Sequence, residues 1–277
     1  MKKLLSVLLA AVMCIGMLAF TSCSAPDPAN DWETIQKNGK FVVGCTIFEP
    51  MNYNDENGKF IGFDTELAQL VAAELGVDVE FQVITWSKKY MELEAGKVDC
   101  LWNGFTSNSS DDGVARSEKV DFSIPYANNF QCIVTKLDEN GNPLYTSVDQ
   151  LSGKKCAVEG GSAGEAYAKT VTSDIVIKDA QTDAFTELKS GKVDFIVVDV
   201  LLANRKCGSG DFTDTTVAIE VKDALEDYGI GFRKGSSFTA KVNEAIEKLV
   251  KNGKLDELAE KYGVPLSEEI LALKDNT

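Results

Sequence analysis

Histidine is absent from the whole chain of 277 residues. Its absence excludes catalysis by a Ser-His-Asp triad or a Cys-His pair, and it removes the side chain that most often serves as a general base or a metal ligand. The cysteines also lie too far apart along the chain for a close metal-binding spacing. We therefore expect neither a metal nor a cofactor.

Positive charge is scarce, because 28 Lys and Arg residues stand against 43 Asp and Glu residues and give a net charge of −15. The first 22 residues hold two of the basic residues and none of the acidic ones, so the rest of the chain carries −17. Such a balance does not suit binding to nucleic acid, and we expect no nucleic-acid partner. An acidic surface instead helps to keep a protein soluble.

Long hydrophobic runs are missing except at the N-terminus, where two lysines precede an apolar stretch from Leu4 to Phe20. This stretch is short for a bilayer crossing, and its basic start and the small residues Thr21 and Ser22 after it are typical of an export signal. We predict a signal peptide over residues 1–22. No second hydrophobic span follows, which argues against a receptor whose own chain crosses the membrane.

The end of the signal, Phe20-Thr-Ser-Cys23, resembles the bacterial lipobox. The resemblance implies cleavage before Cys23, a diacylglyceryl thioether on its sulfur and an acylated amine. The protein would then be anchored to the outer face of the cytoplasmic membrane, or to the periplasmic side in a cell with two membranes. Residues 23–32 are predicted to be the lipidated cysteine and a flexible spacer. The alternative is plain secretion with Cys23 as a free thiol.

Five of the seven cysteines remain when Cys14, in the signal, and Cys23, the lipidation site, are set aside. Five cysteines cannot all form disulfides with one another. Four of them lie in apolar, strand-like runs, and we predict that they behave as small buried hydrophobic residues. These four are Cys45, Cys100, Cys132 and Cys156.

One phrase occurs twice: residues 92–99 read Glu-Leu-Glu-Ala-Gly-Lys-Val-Asp, and residues 187–194 match them at six of the eight positions. In each copy an amphipathic helix ends at a Gly, and an apolar run follows the final Asp. The pattern predicts a helix-to-strand joint that is built twice. Two α/β units indicate two lobes with a ligand cleft between them. The alternative is a coincidence between two ordinary helix ends.

The order of elements supports two units. The first reads βαβαβ, with a helix capped by Asp64 and ended by Gly76, and the second again alternates strands and helices. Two last helices, over 237–251 and 255–262, have no counterpart in the second unit. We expect them to pack back on the first unit, so that the chain crosses twice between a lobe of residues 33–128 plus 232–277 and a lobe of residues 129–231.

Four phrases in order along the chain resemble the polar amino-acid-binding proteins of ABC importers, the bacterial extracellular solute-binding proteins of family 3. They are Phe60–Ala68, Glu118–Tyr126, Tyr228–Ser236 and Gly253–Tyr262. The resemblance implies an α/β, two-lobed periplasmic-binding-protein-like fold of type II, with two crossing strands and a cleft that closes on an amino acid. It also implies a monomer that performs no reaction and delivers its ligand to the permease subunits of the transporter.

The resemblance assigns the carboxylate of the ligand to Arg116, because a guanidinium makes a bidentate pair that Lys cannot match. In the family this Arg follows the ligand loop more closely, whereas here a longer polar loop, 107–113, comes between them. Either the loop bulges outward and Arg116 keeps its place, or the clamp is altered. A solvated Arg on a surface turn is the simplest alternative.

Other positions of the family's site are also present. Gly104, Phe105 and Thr106 match the ligand loop, and Gly161 and Ser162 precede a helix whose N-terminus would face the carboxylate. Asp199 matches the ammonium-binding Asp, although it could instead cap the next helix. Phe48 and Trp86 match aromatic walls of the cleft, although packing is the usual role of such residues. The substrate-binding set implied is Phe48, Glu49, Trp86, Gly104, Phe105, Thr106, Arg116, Glu159, Gly161, Ser162 and Asp199.

Selectivity depends on fewer residues. Cys45 stands where many relatives carry an Asp, while Glu49 and Glu159 would place carboxylates near the side-chain pocket. We therefore predict a ligand side chain that is polar and neutral or cationic, since an acidic one would meet two like charges. Both glutamates could instead point to solvent, which is the commoner location of Glu.

Two alternatives use the same cleft. One is an enzyme on this fold, similar to cyclohexadienyl dehydratase or to peptidoglycan-cleaving relatives, with Glu49 or Glu159 as acid or base. Nothing else in the sequence completes a catalytic set, and a fold alone does not imply a function. The other is a sensory lipoprotein that presents its ligand-bound state to a membrane receptor.

Overall fold

The computed structural model of the protein describes residues 26–275. The predicted signal peptide, the lipobox and Cys23 lie outside the described residues. Within 26–275, no helix has both the length and the apolar character that a membrane crossing needs.

The described chain alternates short strands with helices. The strands are β1 (Lys40–Cys45), β2 (Tyr53–Asn54), β3 (Phe60–Ile61), β4 (Asp78–Val83), β5 (Cys100–Thr106), β6 (Ser110–Asp111), β7 (Val114–Ala115), β8 (Asp121–Phe122), β9 (Ala127–Asn129), β10 (Gln131–Lys136), β11 (Cys156–Glu159), β12 (Ile175–Lys178), β13 (Phe195–Asp199), β14 (Thr215–Glu220) and β15 (Glu226–Phe232). The α-helices are α1 (Asp31–Asn38), α2 (Phe63–Leu75), α3 (Lys89–Glu94), α4 (Arg116–Lys119), α5 (Ala163–Val171), α6 (Gln181–Lys189), α7 (Val200–Lys206), α8 (Ser237–Lys251), α9 (Lys254–Tyr262) and α10 (Glu268–Asp275).

Two mixed sheets organise the molecule. The first has the order β4-β1-β5-β15-β8, with β9 also paired to β15, and the second has the order β12-β11-β13-β10-β14. In each sheet three strands are parallel, and the next strand, β15 in the first sheet and β10 in the second, runs antiparallel to them. Strand β14 pairs antiparallel with β10. The second sheet includes β14, a strand that the sequence analysis missed, as it missed α10. The predicted arrangement of two α/β units is confirmed.

The duplicated phrase forms the same joint in both sheets. Helices α3 and α6 end just before Gly96 and Gly191, whose left-handed φ angles of 67° and 71° turn the chain towards the next strand. The final Asp of each copy then accepts a backbone N–H from the adjacent parallel strand: Asp99 from Val42 and Asp194 from Lys155, both at 2.8 Å. The predicted helix-to-strand joint is confirmed, and strands β5 and β13 follow from it.

The chain passes between the sheets at two places. The first crossing is Phe130, which separates β9 in the first sheet from β10 in the second, and the second crossing is the segment 221–225 between β14 and β15. All of β15 pairs within the first sheet, so we propose that the second lobe ends at about residue 225 rather than at residue 231. Helices α8 and α9 pack against α2, as expected.

Two local predictions have different outcomes. Asp64 is not an N-cap: it lies within the first turn of α2, and its Oδ2 accepts the backbone N–H of Gly104 at 2.7 Å. The error arose because a capping Asp and an Asp that bonds to a distant loop look alike in sequence. The cysteines behave as predicted, since Cys45, Cys100, Cys132 and Cys156 are free and buried, and Cys207 is free and half-buried.

Candidate functional site

The ends of β5 and β13 meet at a small cleft between the two sheets. The cleft is lined by Trp86, Asn103, Gly104, Thr106, Arg116, Glu159, Ser162, Ala163, Gln181 and Asp199. Seven of these ten are residues that the sequence analysis selected. The volume open to the centre of a water molecule is about 10 Å³, which is room for about one water. Entry of a larger ligand therefore requires the lobes to separate.

Arg116 keeps its place at the cleft despite the longer loop before it. Its side chain is 1% exposed, and it donates through Nη1 to the carbonyl of Thr106 at 3.0 Å. Nη2 donates to the carbonyl of Gly161, on the other lobe, at 3.2 Å. The alternative of a solvated surface arginine is therefore wrong, and the guanidinium lies where both lobes approach it.

The second half of the longer loop and the two residues after it form a hairpin, β6–β7, which brings Asp111 against Arg116. Asp111 Oδ1 accepts from Arg116 Nε at 3.0 Å, and its other oxygen accepts from the Tyr90 hydroxyl at 2.5 Å. Burial alone would raise the pKa of Asp111, but Arg116 and Lys89 together lower it below its usual value. The hairpin thus supplies an anion that fixes the back of the guanidinium and leaves N–H groups of Nη1 and Nη2 for a ligand.

Lys89 is a second buried cation, and no sequence pattern indicated it. Its side chain is 2% exposed, and Nζ donates to the carbonyl of Gly161 at 2.8 Å while lying 4.6 Å from the centre of the Tyr90 ring. Burial and the nearby charge of Arg116 lower the pKa of Lys89 to about 8. Arg116 and Lys89 therefore join the two lobes through a single carbonyl group.

Ser162 begins α5 on the second lobe. Its hydroxyl oxygen accepts the backbone N–H of Glu165 at 3.0 Å, and the hydroxyl donates to the carbonyl of Glu159 at 2.8 Å. Gly161 before it has a φ of 74°, which aims its carbonyl at Arg116 and Lys89. The helix N-terminus faces the cleft with Ser162 among its lining residues.

Asp199 does not cap α7 with its side chain, although it occupies the N-cap position. Its carboxylate accepts hydrogen bonds from three amides: Asn129 at 3.0 Å, Gln181 at 2.6 Å, and Gln131. It is buried without a cationic partner among these contacts, and burial raises its pKa. A buried carboxylate held only by neutral donors favours binding of a cation.

Glu159 places a second carboxyl group in the cleft. It is 3% exposed, and its Oε1 has no hydrogen-bond partner in the described part of the chain. Burial, with the charge of Asp199, raises the pKa of Glu159 to about 8. The alternative that Glu159 points to solvent is therefore wrong.

Glu49 is not brought to the cleft. Its side chain is about one-quarter exposed, and Oε2 pairs with Nζ of Lys206 at 2.9 Å. The structure thus gives Glu49 an ion pair between the lobes, outside the cavity where the sequence analysis expected it. Sequence pattern does not show towards which side of a loop a side chain turns.

The aromatic residues differ in their positions. Trp86 lines the cleft and meets Phe105 edge-on, with 5.1 Å between ring centres. Phe105 lies behind the site, 5.1 Å from the guanidinium carbon of Arg116. Phe48 is buried behind Gly104, so close that a Cβ at Gly104 would lie 2.7 Å from its ring. Gly104 is therefore required for close packing as well as for its left-handed φ of 55°.

Asn103 and Gln181 are cleft residues that the sequence analysis missed. Asn103 joins the β1 end to the ligand loop, since its side chain accepts from the Thr46 hydroxyl at 2.7 Å and donates to the Thr46 carbonyl at 3.0 Å. Gln181 begins α6 and bonds with both the backbone and the carboxylate of Asp199. Asn103 directly precedes the selected Gly104 in the chain, and that is the signal that could have found it. Gln181 lies 18 residues before Asp199, and no local pattern indicates it.

A model of the bacterial extracellular solute-binding proteins, family 3, matches residues 41–265. The chain belongs to this family. Among family 3 relatives, it is 28% identical to the arginine-binding extracellular protein ArtP of Bacillus subtilis, over 95% of this chain and 98% of that protein. It is also 28% identical to the L-cystine-binding protein TcyJ of Escherichia coli, over 92% of this chain and 94% of that protein.

Comparison with solved structures confirms the fold that the sequence predicted for this chain. An ancestral arginine-binding protein bound to arginine superposes with a TM-score of 0.72 at 36% sequence identity, covering 81% of this chain and 98% of that one. The two-lobed α/β fold expected from the sequence is therefore that of an amino-acid-binding protein.

Proposed function

We propose that this protein is the substrate-binding lipoprotein of an amino-acid ABC importer, and that it captures a polar amino acid with a neutral or cationic side chain in its cleft. The observation that carries the proposal is the pairing of opposite charges across a small, buried space. Arg116 supplies the cation and Asp199 the anion, and Glu159 adds a second buried carboxyl group beside Asp199. An amino acid carries a carboxylate and an ammonium on one carbon, and so it complements both sides at once.

Each group of the amino acid has a proposed partner. The carboxylate is held by the free N–H groups of Arg116 and by the N-terminus of α5 at Ser162. The ammonium is held by Asp199 and the carbonyl groups of the ligand loop at Gly104. Thr106 contributes a hydroxyl, and Trp86 forms a wall for the ligand side chain. Phe105 and Phe48 pack behind these groups, and the Gly161 carbonyl joins the two lobes beside them.

Glu159 is the basis for the proposed side-chain preference. Its buried Oε1, which has no hydrogen-bond partner among the described residues, is stabilised by a hydrogen-bond donor or a cation of the ligand, whereas a second carboxylate beside it is disfavoured. Arginine, which one relative is named as binding, presents such donors at the end of its side chain. No catalytic step is assigned to Glu159, because the described site offers it no second acid–base partner matched to a substrate.

Thermal-shift and calorimetric screening of the mature protein against the common amino acids and cystine tests this function. An amino acid with a neutral polar or cationic side chain, at 100 times its dissociation constant, should add about 2.7 kcal/mol to the free energy of unfolding. Glutamate and aspartate should add little at the same concentration. Tight binding of glutamate or aspartate, without binding of glutamine, arginine, lysine or cystine, would contradict the proposal.

The proposed lipid anchor predicts a second result. Cys23→Ala should abolish lipidation, because no thiol remains for the thioether, and the full-length protein should lose its tight association with membranes. Fractionation of cells that express each form, followed by immunoblotting, measures this. Cys207→Ala is the control, since it removes a cysteine remote from the signal and should leave the distribution unchanged. Equal membrane association of wild type and Cys23→Ala would show that Cys23 is not the anchor.

A further inference from the structure

A buried polar cluster lies where the two crossings of the chain meet. Asn129 ends β9 and Gln131 begins β10, on either side of the first crossing, while Glu226 begins β15 after the second. Asn129 and Glu226 are paired directly in the first sheet. Glu226 was not selected from the sequence, and it does not line the cleft.

The same two side-chain amides bond to two carboxyl groups. Asn129 Nδ2 donates to Glu226 at 2.6 Å and to Asp199 at 3.0 Å. Gln131 Nε2 donates to both oxygens of Glu226, at 3.0 and 3.1 Å, and also to Asp199. Each amide therefore bridges Glu226, at the hinge, to Asp199, in the cleft.

The surroundings of this pair contain more negative than positive charge. Asp199 and Glu226 are buried, and neither forms an ion pair within residues 26–275. Burial and the charge of Asp199 raise the pKa of Glu226 to about 8, and Arg116 acts in the opposite direction. The other facing groups are Glu159, the Tyr228 hydroxyl and the Cys132 thiol, none of which is cationic.

We infer that Glu226 is a positioning residue for the ammonium site: with Asp199 it holds one proton in the ligand-free protein, and the ammonium group of the ligand replaces that proton. The inference rests on the proposed function, because it requires an ammonium at Asp199. When the ammonium arrives, the proton passes to water or buffer. Asp199, Glu226 and the shared proton carry a net charge of −1 before binding. The two carboxylates and the ligand ammonium carry the same net charge afterwards.

Because the ligand replaces a proton, its affinity should depend on pH and increase as pH rises. The raised pKa of Glu226, about 8, leaves a proton on the pair at neutral pH, and binding that expels one proton becomes tighter as pH rises. Between pH 6 and pH 8 the dissociation constant should fall by up to about tenfold per pH unit for each proton released. In Glu226→Gln the pair no longer shares a proton, so the dissociation constant should change less steeply with pH.

Calorimetry in phosphate and in Tris at pH 7.0 measures the number of protons released, because these buffers differ in their heats of ionisation. The probes are L-arginine, L-glutamine and L-cystine, titrated into the full mature chain. Wild type should release between about half a proton and one proton, or more where Glu159 also loses a proton. Glu226→Gln should release at least about half a proton fewer, and the control Glu220→Gln, an exposed glutamate paired with Lys222, should match wild type.

Each outcome decides the inference. Binding without proton release in wild type, or equal release by wild type and Glu226→Gln, overturns it and leaves the proposed function intact. Absence of binding heat for every probe and every other amino acid overturns both. If Glu226→Gln does not fold, Glu226→Asp serves instead: its shorter and more acidic side chain should move the pH dependence of binding to lower pH, and a profile identical to wild type would overturn the inference.

Discussion

Arg116→Ala should abolish the stabilisation of the protein by its amino acid. The guanidinium is buried and is the cation that lines the cleft among the described residues, so its removal leaves the ligand carboxylate without a charged partner. Loss of one partner of a buried, hydrogen-bonded charge pair costs about 2–5 kcal/mol, which corresponds to a loss of affinity between about 30-fold and several thousand-fold. Isothermal calorimetry and ligand-induced thermal shifts both measure this loss.

Two further variants test whether the loss of binding is specific to the guanidinium of Arg116. Arg116→Lys keeps the charge but loses the planar pair of donors, and we expect at least about a tenfold loss of affinity. Lys119→Ala removes a neighbouring cation that bonds to the backbone of Asp111 and does not line the cleft, and it should bind nearly as wild type does. Binding by Arg116→Ala within about threefold of wild type would show that the carboxylate is held elsewhere.

Asp199→Asn should weaken binding by a similar amount, about 2–5 kcal/mol, while the ligand-free protein still folds. The substitution conserves shape and one acceptor oxygen but removes the negative charge that attracts the ammonium. Three amides surround this carboxylate, and they provide no replacement charge. Calorimetry with a bound amino acid, together with circular dichroism of the ligand-free variant, separates lost binding from lost folding.

Glu49→Gln is the matched control for Asp199→Asn. Both variants remove one carboxylate near the cleft, but that of Glu49 pairs with Lys206 at the edge of the two lobes rather than lining the cavity. We expect less than about a fivefold change in affinity, because a partly exposed ion pair contributes about 0–1 kcal/mol. A larger effect of Glu49→Gln than of Asp199→Asn would reverse the two assignments.

The parts of the fold that the sequence predicted are those with local physical signals. Glycines that end helices, apolar runs that form buried strands, and a phrase repeated before each strand all depend on residues close together in the chain. The duplicated phrase therefore located β5 and β13, and with them Gly104, Thr106 and Asp199. Family resemblance added Arg116 and Ser162, whose roles no local pattern could indicate.

The residues that were missed make contacts over long distances in the sequence. Gln181 reaches Asp199 from the start of another helix, and Glu226 reaches it through two amides on a different strand. Lys89 has no pattern that separates it from the many exposed lysines, although it is 2% exposed. The wrong placement of Glu49 has the same origin, because the direction of a side chain on a loop depends on packing that the sequence alone does not show.

The long loop before Arg116 shows where sequence reasoning could define alternatives but not choose between them. Additional residues in a loop change its path without a local signal for the new path. In the structure Ser110 and Asp111 of this loop form β6 and pair with β7, and Asp111 bonds to Arg116. The insertion thus contributes a residue that orients the guanidinium.

A crystal structure of the mature protein with its bound amino acid measures most directly how the ligand is oriented between Arg116 and Asp199. We predict the ligand carboxylate within hydrogen-bonding distance of the Arg116 guanidinium and the backbone N–H groups at the start of α5, and the ammonium within hydrogen-bonding distance of Asp199. The side chain should extend along Trp86 towards Glu159. A ligand bound outside this cleft, or one with its ammonium away from Asp199, would contradict the account.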